Sequence, residues 1–207
     1  MKSRIFVKNL VQEIYRAHEA KKDIVLPGTQ TSELPVEIIK HWLNFAVYYE
    51  RTAVAFIGKW IKDYTQPDVI INFAHQIEDE ANHYVWLRKH LASYGILPED
   101  FTPPEEWRYL MEEYYPSLPT LVERLAAHNI ASETGVLGFM EFNMNRFPPG
   151  IKETVAKVAK DELYHVTFGE RLLIKYCITE ELQEKARKAT FEALDLMKKA
   201  REVFVSI

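Results

Sequence analysis

Across 207 residues the sequence holds a single cysteine, Cys177, and 7 glycines. One thiol excludes an internal disulfide and any Cys-x-x-Cys zinc or rubredoxin-type iron site, and it fits a reducing compartment. Scarce glycine and few turn clusters argue for long helices, and no segment is a strong strand candidate. No apolar run approaches the ~18 residues of a membrane span. The opening Met1-Lys2-Ser3-Arg4-Ile5-Phe6-Val7-Lys8 has no signal-peptide apolar run, so a cytoplasmic location is expected. The 26 basic residues are scattered among 30 acids, for a net charge of -4. Without a basic patch, neither nucleic acid nor a membrane surface is an expected partner. Apolar residues are plentiful: at 47% hydrophobic and 13% aromatic, residues 1–207 can bury one sizeable core as a single domain.

Taken in order, Ile5, Phe6, Leu10, Val11 and Ile14 mark a short amphipathic helix near residues 4–20. Turn residues follow at 27–32, so 1–35 reads as an N-terminal helix and connector. Pro35 suits a first helical turn and opens a long helix reaching about Tyr64. The turn at 65–68 reverses the chain into a second helix, about 68–94, closed by Gly95. Residues 96–117 carry Pro98, Pro103, Pro104 and Pro116 around a short amphipathic piece, which predicts a crossover. Ser117 and Pro119 open a third long helix to Arg146, and Pro148-Pro149-Gly150 turns the chain into a fourth, about 151–177. Thr179 caps a last helix, within 178–207, to about Phe204. The expected fold class is all-α.

The second and fourth long helices share one motif: Asp79-Glu80-Ala81-Asn82-His83 and Asp161-Glu162-Leu163-Tyr164-His165, both D-E-x-x-H. With 23 Glu and 7 His, one Glu-x-x-His is expected by chance. An Asp directly before both, in a chain with only 7 Asp, is not. On a helix, residues three apart share a face, so each Glu and its His can address one spot. Carboxylate oxygen with imidazole nitrogen suits iron or manganese.

The other two long helices each interrupt an apolar stripe with one acid. Glu50 lies among Leu43, Ala46, Val47, Ala53, Val54 and Ile57, and Glu133 among Val122, Ala126, Ile130, Val136, Leu137 and Met140. Glu50 precedes the turn at 66 by about as many residues as Glu80 follows it, so at ~1.5 Å per residue the two sit at similar depth in an antiparallel pair. Glu133 and Glu162 stand alike around Pro148-Pro149. The halves thus repeat with an offset of 82 to 83 positions, and Phe56 with Phe139, and Tyr94 with Tyr176, follow the same repeat. Four ionised carboxylates in an apolar core need compensation. Two divalent cations balance their charge, and His83 and His165 as neutral ligands complete two symmetric sets.

A Glu, then E-x-x-H about 30 residues on, repeated after a long crossover, resembles the ferritin-like di-iron carboxylate superfamily over about residues 36–177. The resemblance implies a four-helix bundle with Glu50, Glu80, His83, Glu133, Glu162 and His165 as protein ligands and Glu80 and Glu162 as bridges. In the bacterial multicomponent monooxygenases and acyl-carrier-protein desaturases of that superfamily, the Asp before E-x-x-H hydrogen-bonds a ligating His, usually that of the other half. Asp79 and Asp161 are expected in that role. The cofactor implied is two iron ions per chain, with manganese or a mixed Mn/Fe pair as variants.

The function expected on this basis is O2 activation to oxidise or hydroxylate a small, largely apolar organic substrate. Phe56, Val136, Phe139 and Met140 are expected to line its pocket, an electron donor is an expected partner, and a homodimer is the expected assembly. The alternatives are an iron-handling or peroxide-reducing protein of ferritin or rubrerythrin kind, and a bundle that uses metal for stability alone. His18, His41, His75, His90 and His128 fall outside the repeat and are expected to be surface or structural residues.

Overall fold

The computed structural model describes residues 1–19 and 33–205; the turn expected at 27–32 lies outside them. Among the described residues there is no strand. Helix α1 is Ser3–Glu19, α2 is Val36–Ile61 and α3 is Pro67–Ser93. A 3-10 turn at Pro98–Asp100 leads into α4, residues 105–117, whose middle widens to a π-helix over Tyr109–Tyr114. Helix α5 runs over 121–143, with a π-helical stretch at Leu125–Ser132 before the regular turns of Glu133–Asn143. Helix α6 is Pro149–Tyr176 and α7 is Glu180–Val205.

The ends follow local chemistry. Helix α2 stops at Ile61, three residues short of Tyr64. Helix α5 begins two residues past Pro119, because Pro119 favours extended backbone at Leu118 and Thr120 is the better cap. The Thr120 hydroxyl accepts from the Glu123 amide and donates to its carboxylate, at 3.4 and 2.5 Å. Thr179 caps α7 by accepting from the Leu182 amide. Pro67 and Pro149 occupy first turns, where a missing N–H costs nothing.

Short turns make α2 with α3, and α5 with α6, antiparallel pairs; α3 and α6 join the two, and α7 lies along the π stretch of α5 and touches α4. Two apolar clusters result. One gathers Phe56, Ile57, Trp60, Phe73, Leu125, Ile130, Phe168 and Leu172, and the other Ile39, Leu43, Phe45, Leu87, Leu91, Met140, Val155 and Val158. Each of the four long helices changes cluster along its length, and at each change it buries an acid: Glu50, Glu80, Glu133 and Glu162. A polar layer therefore crosses the molecule at mid-height. Each fully buried Leu, Ile or Phe contributes roughly 1.5–3 kcal/mol, which lets the flanking clusters carry that layer.

Helix α7 is no appendage. Ala186, Ala189, Ala193, Leu194, Met197 and Ala200 are buried, and Trp107 of α4 donates its indole N–H to the Ala200 carbonyl at 2.7 Å. No described helix is long and apolar enough to cross a membrane.

Candidate metal centre

The six residues singled out by the repeat meet in the polar layer. None is more than 3% exposed. Their ligand atoms form two groups, Glu50, Glu80, His83 and Glu162 on one side and Glu80, Glu133, Glu162 and His165 on the other, each within 4.8 Å. Glu80 and Glu162 belong to both groups.

Both histidines turn Nδ1 inward. His83 Nδ1 stands 3.3 Å from Glu80, 3.5 Å from Glu50 and 3.7 Å from Glu162. His165 Nδ1 stands 3.3 Å from Glu162 and 3.7 Å from both Glu80 and Glu133. Glu50 Oε2, Glu80 Oε2, His83 Nδ1, Glu133 Oε2 and Glu162 Oε1 are all buried and make no hydrogen bond, the first three and Glu162 Oε1 having only the longer charge contacts just given. A buried polar atom without a partner costs about 1–3 kcal/mol, more when charged, so five in one layer call for a common partner. Oxygen and imidazole donors in two overlapping sets fit a pair of cations.

The outward ring nitrogens are held across the two halves. His83 Nε2 lies 3.3 Å from Asp161 Oδ2, and His165 Nε2 lies 3.1 Å from Asp79 Oδ2. A carboxylate at Nε2 keeps a proton there and leaves the Nδ1 lone pair facing the cluster.

The charges in this layer act on one another. Burial holds the Glu50 carboxyl well above the usual range despite the neighbouring His83, and it raises Glu133 and Glu162, helped by the other carboxylates. Burial also opposes ionisation of Glu80, but contact with His83 and the charge of His165 outweigh it and hold this carboxyl low. Burial would lower His83 too, yet Glu50 and Glu80 push it up to about 12, and Glu133, Asp79 and Glu162 likewise raise His165. Left to itself, the layer therefore retains protons that cations would displace.

Three further polar residues belong to this layer. Gln76, one turn before Glu80, donates to Glu133 at 2.6 Å and to Glu80 at 3.2 Å, and Asn129 donates to the Gln76 carbonyl at 2.9 Å. His128 is fully buried, with Nδ1 3.3 Å from Glu133 and Nε2 3.3 Å from the Tyr49 hydroxyl. It lies against the cluster rather than apart from it, and burial pulls its pKa down to about 3. For Gln76 the sequence signal is a polar residue four positions before Glu80 on an otherwise apolar face. Of the other histidines, His18, His41 and His90 bond the Ala131 carbonyl, the Phe204 carbonyl and the Thr154 hydroxyl, and His75 is exposed beside Asp79.

A cavity of about 110 Å³ adjoins the cluster through Glu50. Val136, Phe139 and Met140 line it, together with residues of α2, α4 and α7. Phe56 does not; it packs against Trp60, Tyr115 and His128 in the opposite apolar cluster. The reason is the antiparallel run of α2 and α5. Residues six positions beyond Glu50 and six beyond Glu133 depart from the polar layer in opposite directions, and the cavity lies on the Phe139 side alone.

No protein-family model and no curated protein sequence matches the chain. Among solved structures, a domain of unknown function with a heme oxygenase-like fold from Shewanella denitrificans OS217 matches with a TM-score of 0.65 at 14% identity, covering 98% of this chain and 88% of that one. At this identity the likeness concerns the fold alone. The chain is all-helical, has a heme oxygenase-like neighbour, and carries a buried Glu/His cluster able to hold metal ions.

Proposed function

We propose that the chain is a di-iron carboxylate oxidoreductase, or a Mn/Fe variant of one, that activates O2 to oxidise a small and largely apolar organic substrate. In this reading α2, α3, α5 and α6 act as a ferritin-like four-helix bundle within the larger helical fold. Glu50, Glu80, His83 and Glu162 would hold one ion and Glu80, Glu133, Glu162 and His165 the other, with Glu80 and Glu162 available to both. The bound ions supply the redox chemistry, reduction of O2 and oxidation of the substrate. An external electron donor completes the cycle.

The observation that carries the reading is the convergence of two overlapping ligand groups, five of whose buried atoms make no hydrogen bond. The chain's own contributions follow from its geometry. Asp79 and Asp161 keep the Nε2 protons in place, so both imidazoles present lone pairs inward. Gln76 fixes the Glu133 and Glu80 carboxylates by donating to both. The flanking apolar clusters exclude bulk water. An iron-storage or peroxide-reducing protein is better served by a site open to solvent. Here the ligands are buried and an apolar cavity adjoins Glu50, which favours an organic substrate.

Metal analysis combined with O2-consumption kinetics of the reduced protein tests the proposal. Two iron or manganese ions per chain and rapid O2 uptake by the reduced form are expected. One zinc per chain with no O2 uptake would overturn it.

A further inference from the structure

The wall of the cavity beside Glu50 is almost entirely apolar. Trp42, Phe45, Trp107, Phe139 and Phe204 supply aromatic surface from α2, α4, α5 and α7. Away from Glu50, the wall contains one cation, Arg201 of α7. Burial holds the Arg201 guanidinium below the usual arginine value, although arginine remains charged near neutral pH. Arg201 is partly exposed, and a charge drawn this far out of water is ordinarily paired. Among the described residues no carboxylate forms an ion pair with Arg201, and its neighbours in the electrostatic field are the phenols of Tyr115 and Tyr49.

The seat of this guanidinium is built into α5. A Cβ at Gly135 would collide with Arg201 Nη2 and stand 2.7 Å from His18 Cε1, so a side chain there would push the guanidinium away from the helix backbone it now lies against. Arg201, Gly135 and Phe139 also border a second, wider cleft of about 720 Å³ whose other walls include Tyr15, His18 and Glu141. The cation therefore stands where the two spaces meet, with the apolar cavity running from it to Glu50.

We propose that this cavity binds a small monocarboxylate, its carboxylate paired with Arg201 and its apolar body directed toward Glu50. Guanidinium recognises carboxylate in a planar two-bond geometry, and Arg201 presents its guanidinium at the cavity wall beside Gly135. A dry cavity of ~150 Å³ takes a benzene molecule, so the ligand body here is about a single ring or a short alkyl chain. The inference rests on the oxidative reading for what happens to the ligand, but not for the contact with Arg201.

The test is calorimetric titration of the protein as purified, its metal content measured, with hexanoate and with neutral 1-hexanol. Parent protein is expected to prefer hexanoate by about tenfold or more, and Arg201→Gln to lose that preference while binding 1-hexanol as the parent does. Arg201→Lys should keep part of the preference. Gly135→Ala, which displaces the guanidinium without removing it, should weaken hexanoate more than 1-hexanol. If Arg201→Gln does not fold, the Lys and Gly135 variants decide. Equal binding of the two ligands by the parent, or hexanoate binding indifferent to Arg201 and Gly135, would overturn the proposal. Arg201-dependent binding by a protein without two metals would instead sink the oxidative reading alone.

Discussion

Asp79 and His165 stand 86 positions apart in sequence and meet at 3.1 Å, and Asp161 meets His83 in the same way. Each half of the repeat thus orients the imidazole of the other. Neither D-E-x-x-H motif is complete until α3 packs on α6, so assembly of the bundle and preparation of the ligands are one event. The Asp79 side chain is 16% exposed and that of Asp161 27%, so the Asp79 bond is the better shielded of the two.

Asp79→Asn and Asp161→Asn are expected to keep the fold and weaken metal affinity or activity by roughly 10- to 100-fold, as losses of hydrogen bonds behind a metal ligand typically do. The larger loss is expected for Asp79→Asn, whose bond is shorter and less exposed. Metal titration with circular dichroism as the check on folding decides this. Parent-like affinity in both variants would make these acids ordinary surface residues.

Much of this was legible because helical period and motif report on the same residues. The apolar stripes placed the long helices, and the interrupting acids placed the polar layer, because an acid at mid-stripe must find a partner wherever it is buried. His128 and Asn129 were less legible. They lie in the π-helical stretch Leu125–Ser132, where all eight residues are buried, so the 3.6-residue period no longer separates an inner face from an outer one. Arg201 escaped notice for another reason. A stripe on α7 signals burial, but which space its polar neighbours enter depends on how α7 crosses α4 and α5. Phe56 lies six residues beyond Glu50, and spacing along a helix specifies distance from the ligand and not direction.

The sharing of Glu80 and Glu162 between both ligand groups predicts unequal effects of single substitutions. Glu80→Ala or Glu162→Ala should lose both metals together. Glu50→Ala touches one group only and should retain partial occupancy. Metal content per folded chain, measured after removal of loosely bound ions, distinguishes these patterns. Retention of a full complement by Glu80→Ala would remove the bridging assignment.

Gly169 on α6 faces Asn129 so closely that a Cβ would stand 2.7 Å from the Asn129 Cβ. Asn129 holds Gln76, and Gln76 holds Glu133 and Glu80. Gly169→Ala should therefore cost about 1–3 kcal/mol by overpacking and also weaken metal binding, through residues it does not touch. Denaturant melts give the first effect, and metal titration of the folded variant gives the second. A stability loss with parent-like metal affinity would show that the Asn129–Gln76 link does not position the ligands.

The charges in the polar layer set opposite pH responses for the metal-free and metal-bound forms. In the metal-free protein Glu50, Glu133 and Glu162 have raised pKa values, and His83 is pushed up to about 12 with His165 raised alongside it. A raised folded-state pKa contributes stability that is fully present below the unfolded value and is lost as pH rises through the folded one. For the carboxyls that loss begins near the ordinary carboxylate range, and for the histidines near their ordinary value. The metal-free form should thus be more stable at pH 5 than at pH 7. Glu80, held low, does not alter this window, since its contribution fades only at more acidic pH. In the metal-bound form the same carboxylates and imidazoles must give up protons to act as ligands, so falling pH lets protons compete with the ions. With metal at about 1,000 times its dissociation constant, one site adds about 4 kcal/mol and two sites add more, so at roughly 2–4 °C per kcal/mol the melting temperatures at pH 7 should differ by at least roughly 8 °C. At pH 5 the gap should narrow from both sides, as the metal-free form gains and the loaded form loses. Thermal melts at the two pH values, with and without ferrous or manganous ion, measure it directly. A gap that is absent at pH 7, or fails to narrow at pH 5, would mean that the four carboxylates do not act together on metal.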